Sequence, residues 1–213
     1  MKNRIDSITT VLFDWDGTVV DSAQLGLVAF QKTFSVLGLP FPQDVYEQAY
    51  SPNWYSLYEA MSLPRERWDE ADNLWLKHYG EQTAAFIDGA DIAIRHLHRK
   101  GYQLGVVSSG SYARLTREIA HLGLNGVFQV VICNEHIINK KPHPEGLHKA
   151  MGMLNCHVGC TCYVGDSPED IEMGKTAGVI TIGVRSTYPT SWRVADAGPD
   201  IYLDTLAAIA EYF

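Results

Sequence analysis

Short apolar runs alternate with amphipathic segments along most of this sequence. The apolar runs predict strands at residues 9–13, 103–107, 127–133, 161–164 and 179–184, with a short strand near residue 201. The amphipathic segments predict helices at 112–122, 144–154, 168–177 and 205–211. Strands that alternate with helices form parallel sheets covered on both faces. We therefore predict an α/β fold with a Rossmann-like parallel sheet and helices on both faces.

One long segment departs from this alternation. Residues 21–86 have helical spacing of apolar side chains, many aromatic residues, and prolines at positions 40, 42, 52 and 64. We predict that this segment is a compact helical insert, which divides the α/β part of the chain into residues 1–20 and 87–213. The turn at residues 50–54 breaks the helical pattern.

Polar side chains follow the predicted strands at the points where the strands end. Asp14 and Asp16 follow the first strand, Ser108 the second, and Asp166 a later one. In open α/β sheets, ligands bind beyond the carboxyl ends of the strands. Converging carboxylates repel one another unless a divalent cation binds between them, and oxygen ligands near a phosphate favour Mg²⁺. The expected ligands are Asp14, Asp166 and the main-chain carbonyl of Asp16.

These residue types suit phosphoryl transfer. Lys141 and a metal ion would shield the charge of a phosphate, so that the Asp14 carboxylate can attack it. Asp16, two residues on, would protonate the departing alcohol and later deprotonate the water that hydrolyses the intermediate. Ser108 and nearby backbone N–H groups would hold the phosphate oxygens. Gly17 permits an unusual backbone angle beside the nucleophile, and Thr18 can stabilise that turn.

The sequence resembles the haloacid dehalogenase superfamily over essentially its whole length. Four motifs appear in order: DWDGTVVDS at 14–22, VVS at 106–108, KP at 141–142 and GDSPED at 165–170. Within the superfamily, the sequence resembles the phosphoglycolate-phosphatase-like subclass, in which a helical cap follows the first motif. This resemblance implies that residues 21–86 are a small α-helical cap domain inserted into a catalytic core made of residues 1–20 and 87–213. The turn at residues 50–54 is where this cap is expected to face the active site. Lys140 adjoins Lys141, and the following Pro142 favours Lys141 as the third motif.

The resemblance implies a role for each matching residue. The first aspartate is the nucleophile and the second is the general acid and base. The predicted site then consists of catalytic Asp14 and Asp16, substrate-binding Thr18, Ser108, Ser109 and Lys141, and metal-binding Asp14, Asp16, Asp166 and Asp170. Trp15 is bulkier than the residue expected between the two aspartates.

The predicted function is that of a Mg²⁺-dependent phosphatase that hydrolyses a small phosphorylated metabolite through an aspartyl-phosphate. A phosphomutase similar to beta-phosphoglucomutase needs the same two aspartates and stays open as an alternative. A non-catalytic phospho-acceptor module is a weaker alternative, because it needs neither Asp16 nor a cap. Asp16 also argues against a dehalogenase, which has no alcohol leaving group to protonate.

Charge and apolar patterning restrict the partners and the location. The 213 residues carry a net charge of −8, with 25 acidic against 17 basic residues, which argues against a nucleic-acid partner. Residues 1–10 have no apolar stretch of signal-peptide length and no later run approaches a membrane span, so we expect a cytoplasmic protein without a membrane partner. A monomer and a homodimer both fit the pattern. The four cysteines are expected to be free thiols: Cys133, Cys156, Cys160 and Cys162.

Overall fold

Six parallel strands form the central sheet of this computed structural model, which describes residues 5–80 and 82–213. The strands of the described part are β1 (Thr10–Phe13), β2 (Val20–Asp21), β3 (Ala85–Phe86), β4 (Gln103–Val107), β5 (Val130–Ile132), β6 (Thr161–Gly165), β7 (Ile180–Val184) and β8 (Ile201–Leu203). The sheet has the order β5-β4-β1-β6-β7-β8, and every neighbouring pair is parallel. Counted within the sheet, this is the Rossmann order 3-2-1-4-5-6. The predicted fold class is confirmed.

Helices cover both faces of the sheet. The described helices are α1 (Ala23–Leu37), α2 (Gln43–Ala49), α3 (Trp54–Ala60), α4 (Trp68–Tyr79), α5 (Ala90–Arg99), α6 (Tyr112–His121), α7 (Glu145–Leu154) and α8 (Pro168–Ala177). Side chains of a strand point alternately to its two faces. Val11 and Phe13 of β1 accordingly belong to the core that includes α5 and α6, whereas Leu12 belongs to the core that includes α7 and α8.

Helices α1 to α4 have a hydrophobic core of their own. Its buried aromatic side chains include Phe30, Phe34, Tyr46, Tyr58 and Trp75. The antiparallel strands β2 and β3 lie where the chain leaves the sheet and returns to it, so they bracket this helical module. The cap is thus present as a separately packed unit, and its predicted boundaries at residues 21 and 86 stay a prediction. Residues 1–4 of the predicted core and Glu81 of the predicted cap lie outside the described residues.

Two predicted elements are wrong in extent or type. The strand predicted at 127–133 is only β5, because Gly126, at φ +77°, turns the chain and Val127 N donates to Leu124 O within that turn. The helix predicted at 205–211 is a 3₁₀ helix, Leu206–Glu211. Leu206 and Ile209, three residues apart, are both buried, and a three-residue period suits a 3₁₀ helix.

No helix in the described ranges has both the length and the apolar character needed to cross a membrane.

Candidate active site

Four buried charged side chains meet at the carboxyl edge of the sheet. Asp14 directly follows β1, Asp166 directly follows β6, Asp170 lies in the first turn of α8, and Lys141 precedes α7. Lys141 Nζ lies 2.5 Å from Asp14 Oδ1 and 2.7 Å from Asp170 Oδ1. The three aspartates also offer carboxylate oxygens that all lie within 4.8 Å of one another. The structure therefore brings four of the eight predicted site residues together. The three aspartates, Asp14, Asp166 and Asp170, are hereafter called the acidic cluster.

The start of α8 explains why Asp166 and Asp170 converge. Ser167 is the N-cap residue, and its hydroxyl oxygen accepts a hydrogen bond from Asp170 N at 3.2 Å. In return, Asp170 Oδ2 accepts from Ser167 N at 3.1 Å. This reciprocal capping box holds the Asp170 carboxylate at the strand end that carries Asp166. Strands β1 and β6 are neighbours where the strand order reverses, which is the place where such sheets bind ligands.

Burial and mutual repulsion raise the pKa values of two of these carboxyl groups, Asp14 and Asp166. Burial raises the pKa of Asp14 to about 7; Asp170 adds to this shift, and Lys141 opposes it. Burial, followed by the charge of Asp14, raises the pKa of Asp166 well above its usual range. Burial alone would lower the pKa of Lys141, but Asp14 and Asp170 outweigh it and hold the ammonium charged. One ammonium group cannot neutralise three carboxylates. A hard divalent cation would supply the missing positive charge and suits this set of oxygen donors.

Gly17 and Thr18 support Asp166. Gly17 has φ +83°, and a Cβ at this position would collide with the Asp166 carboxylate. Thr18 is fully buried and its hydroxyl donates to Asp166 Oδ1 at 3.3 Å. Ser186, which the sequence did not single out, donates to Asp166 Oδ2 at 2.6 Å. The substrate contact predicted for Thr18 stays a prediction, while its contact in the structure is with the acidic cluster.

The carboxylate of Asp16 is not part of the acidic cluster and is bound by Arg114. Arg114 Nη1 donates to Asp16 Oδ1 at 2.9 Å and Nη2 donates to Oδ2 at 2.5 Å, so the two planar groups are paired through both oxygens. Ser22 Oγ donates to Asp16 Oδ1 at 2.6 Å. Burial would raise the pKa of Asp16, but Arg114 and Ser22 outweigh it and lower the pKa. Asp16 is thus held in its carboxylate form beside Asp14.

Arg114 continues into a buried network that the sequence analysis missed. Glu118 lies one turn further along α6 and accepts hydrogen bonds from Arg114 Nη1 at 3.2 Å, Trp15 Nε1 at 2.7 Å and Tyr79 OH at 3.0 Å. The size of Trp15 is explained, because its indole reaches Glu118. The sequence does contain a signal for this network, because Arg114 and Glu118 are charged residues on the apolar face of α6, where Leu115 and Ile119 are buried.

A cavity opens between the sheet edge and the cap. From the core it is lined by the carboxylates of Asp14, Asp16 and Asp166 and by Ser108 and Ser109. Much of the remaining lining is aromatic: Phe30, Tyr50, Trp54, Trp75, Tyr79 and Tyr188. The predicted turn at 50–54 contributes to this wall, and Tyr50 stacks on Tyr188 with ring centroids 4.5 Å apart. Five of the predicted site residues therefore share one cavity with aromatic side chains of the cap.

The two adjacent lysines have different surroundings. Lys141 is 3% exposed and contacts Asp14 and Asp170, as described above. Lys140 lies over the ring of Tyr55 in the cap, with Nζ 4.2 Å from the ring centroid, and burial lowers its pKa. Of the two lysines, Lys141 is therefore the one that contacts the acidic cluster.

We expect the four cysteines to differ in reactivity with iodoacetamide at pH 8. All four are free, and Cys133 and Cys162 are buried. Burial raises the pKa of Cys133 to about 12 and also raises the pKa of Cys162, which leaves almost no thiolate to react. Peptide mass spectrometry of the native protein should find alkylation at Cys156 and Cys160, with Cys133 and Cys162 modified only after denaturation. Rapid labelling of Cys162 in the native protein would contradict the buried placement of β6.

Known proteins with similar sequences or folds give a consistent result. The profile of the family described as haloacid dehalogenase-like hydrolase matches residues 11–184. The pyrophosphatase PpaX of Listeria monocytogenes serotype 4b, strain CLIP80459, is 32% identical over 209 residues, which cover 94% of each protein. A predicted phosphoglycolate phosphatase from Haemophilus somnus 129PT has a TM-score of 0.84 at 20% identity, covering 96% of this chain and 97% of that one. A beta-phosphoglucomutase candidate from Thermotoga maritima has a TM-score of 0.71 at 21% identity, with the same coverage. These two structural matches show a shared fold.

Proposed function

Because the chain belongs to the haloacid dehalogenase-like hydrolase family, we propose that it hydrolyses a small phosphorylated metabolite, with Mg²⁺, through a phosphorylated Asp14. The resemblance drawn from the four motifs is confirmed, as is the prediction of a hydrolase among the phosphatases of this family. The metal, the site residues and the substrate class are the proposed part. One observation supports them most strongly: Lys141 Nζ lies 2.5 Å from Oδ1 of Asp14, which lines the cavity.

The acidic cluster fits a magnesium ion. Asp14, Asp166 and Asp170 would hold it, together with the main-chain carbonyl of Asp16 that the sequence predicts as a further ligand. When bound, Mg²⁺ supplies positive charge that shields the phosphate oxygens and offsets the charge of the attacking carboxylate. Lys141 supplies a second positive charge beside Asp14 and is itself fixed by Asp170.

The two aspartates divide the chemistry. A carboxylate oxygen of Asp14 attacks phosphorus, the bond from phosphorus to the leaving oxygen breaks, and Asp16 gives that oxygen a proton. Water then attacks phosphorus, the bond to Asp14 breaks, and Asp16 takes the proton from the water. The carboxylate form favoured by Arg114 suits the second step. A phosphate beside Asp16 adds negative charge, which favours the protonated form that the first step needs.

The cavity favours an organic phosphate ester over pyrophosphate. Among the described residues that line it, Arg114 is the one cation, and Asp16 and Glu118 already pair with it. The leaving group of pyrophosphate is itself an anion and needs unpaired cations around it. Aromatic walls such as Trp54 and Trp75 suit an uncharged organic leaving group instead. Pyrophosphatase activity is the second candidate, because the sequence relative carries that name.

The first test is phosphate release from a panel of phosphorylated metabolites and pyrophosphate, with and without Mg²⁺. We expect kcat/KM for at least one organic ester to exceed that for pyrophosphate about tenfold or more. A preference for pyrophosphate would overturn the proposed substrate class. Product analysis separates the alternatives: an isomerised sugar phosphate at constant free phosphate indicates a mutase, and phosphorylation of the protein without turnover indicates an acceptor module.

Removing the metal should abolish turnover and lower stability. We expect EDTA to reduce phosphate release about 100-fold or more and added Mg²⁺ to restore it, because the charge that offsets the carboxylates is lost and regained. Because Mg²⁺ would bind the folded state, it should also raise the midpoint of thermal unfolding of the wild type. Asp166→Asn, which removes one carboxylate of the acidic cluster, should lose most of that Mg²⁺-dependent rise. Equal midpoints with EDTA and with millimolar Mg²⁺ in the wild type would contradict a metal site at this cluster.

A further inference from the structure

Glu118 occupies a position that burial alone would assign to an apolar residue. It is fully buried on α6, yet each of its carboxylate oxygens accepts hydrogen bonds from side chains of separate elements. Trp15 Nε1 donates to Oε2 at 2.7 Å, and Tyr79 OH donates to Oε1 at 3.0 Å. Burying an ion pair seldom stabilises a protein more than an apolar replacement would. The presence of a buried ion pair between Glu118 and Arg114 is therefore not explained by stability alone.

The partners of Glu118 converge on Asp16. Trp15 is the residue between Asp14 and Asp16, so its anchored indole fixes the segment that carries both aspartates. Arg114 contacts Glu118 with one side of its guanidinium and binds both oxygens of Asp16. A two-oxygen pairing of this kind fixes the plane of a carboxylate as well as its distance.

The cap also reaches this network. Tyr79 is the last residue of α4, and besides its hydrogen bond to Glu118 its ring lies 5.0 Å from the Arg114 guanidinium carbon. The same ring stacks on Trp75, which lines the cavity, with centroids 4.9 Å apart. The far end of the network is therefore attached to the cap wall that faces the substrate.

We infer that Glu118 and Arg114 are positioning residues for Asp16, and that Tyr79 makes this positioning depend on the place of the cap. The inference rests on the proposed function, since it assigns to Asp16 the proton transfers of that reaction. In this arrangement Glu118 orients Arg114, Arg114 orients the Asp16 carboxylate towards the cavity, and Trp15 holds the intervening backbone. Asp16 is then best oriented when the cap lies over the sheet edge.

The test compares two substrates whose leaving groups differ in their need for a proton. 4-Nitrophenolate leaves without protonation, whereas a simple alkyl alcohol leaves only with a proton from the enzyme. We expect Glu118→Gln and Arg114→Lys to slow single-turnover release of the alcohol about 10- to 100-fold, part of what a general acid contributes. Release of 4-nitrophenolate should change less than about threefold, because that step does not use the acid. KM should change little for either ester.

Arg117→Gln is the matched control. Arg117 lies on the same helix and donates hydrogen bonds to the main-chain carbonyls of Gly80 and Gln82 at the end of the cap; neither hydrogen bond involves Asp16. Any effect of Arg117→Gln should be the same for both esters.

Tyr79→Phe is the alternative variant if Glu118→Gln does not fold. It removes one hydrogen bond from the Glu118 carboxylate, and it should slow alcohol release about threefold or more while leaving nitrophenolate release unchanged.

Two outcomes would overturn the inference. Equal slowing of both esters in Glu118→Gln and Tyr79→Phe would mean that the network only stabilises the fold. A raised KM with unchanged alcohol release in Arg114→Lys would mean that Arg114 binds the substrate instead of orienting Asp16. A wild-type enzyme that turns over neither ester nor any metabolite would refute the proposed function itself, which is a different result.

Discussion

Asp14→Asn should lower kcat for phosphate release at least about 10⁴-fold, the scale of loss seen when a catalytic nucleophile is removed. The amide has nearly the same shape as the carboxylate, but it cannot form the phosphorylated intermediate. The protein should stay folded, because the substitution removes one charge from a cluster in which three carboxylates lie close together. Steady-state phosphate release at saturating Mg²⁺, together with a thermal melt, measures both effects.

Asp21→Asn is the matched control for this substitution. Asp21 belongs to the same motif but is exposed, and it accepts a hydrogen bond from Thr187 Oγ1 at 2.6 Å. It does not line the cavity between the described core and cap residues. The phosphatase activity of Asp21→Asn should stay close to that of the wild type. An Asp14→Asn protein with activity within tenfold of the wild type, free of contaminating phosphatase, would exclude Asp14 as the nucleophile.

Lys141→Met should be the most destabilising single change in the site. The Lys141 ammonium is buried between Asp14 and Asp170, and its loss leaves two buried carboxylates without their cation. Removing one partner of a buried ion pair typically costs about 3–5 kcal/mol in free energy of unfolding. Turnover should fall about 10²- to 10³-fold as well, since a preorganised positive charge beside the phosphate is lost. Urea unfolding in EDTA measures the change in free energy of unfolding, and a phosphate-release assay measures the change in turnover.

Lys140→Met separates this effect from a general loss of lysine charge. Lys140 is adjacent in sequence and lies over Tyr55, a contact of a kind worth about 0.5–1 kcal/mol when exposed. Its substitution should therefore cost about 1 kcal/mol or less. Added Mg²⁺ should recover part of the stability lost in Lys141→Met, because the metal brings positive charge to the same carboxylates. Equal stability of the two variants would contradict the placement of Lys141 in the acidic cluster.

The sequence predicts the acidic cluster well because strand ends in a parallel sheet meet at one edge. Asp14 and Asp166 follow strands that prove to be neighbours, and Asp170 is held nearby by the capping box that begins at Ser167. The alternation of elements and the four motifs are thus sufficient for the fold class and for the positions of these residues. The cytoplasmic location and the choice between monomer and homodimer stay predictions.

The sequence does not predict the residues that hold Asp16. Arg114 and Glu118 lie about a hundred residues along the chain from it, and helical periodicity assigns their positions to a buried face without naming their partners. Ser186 and Tyr188 approach the site from the loop after β7, where no periodic pattern applies. Pairings of this kind depend on how elements pack. The ends of short elements are also set by packing and turns, as Gly126 shows before β5.

The most direct test of Asp14 as the nucleophile is to trap the phosphorylated enzyme. The protein would be mixed with a preferred substrate and Mg²⁺, quenched within milliseconds, reduced with borohydride and digested for mass spectrometry. Borohydride converts an aspartyl-phosphate to homoserine, which marks the residue. If Asp14 is the nucleophile, homoserine should appear at position 14, and it should be absent without substrate and absent in Asp14→Asn. Homoserine at another residue, or rapid phosphate release with no modified aspartate at any quench time, would contradict it.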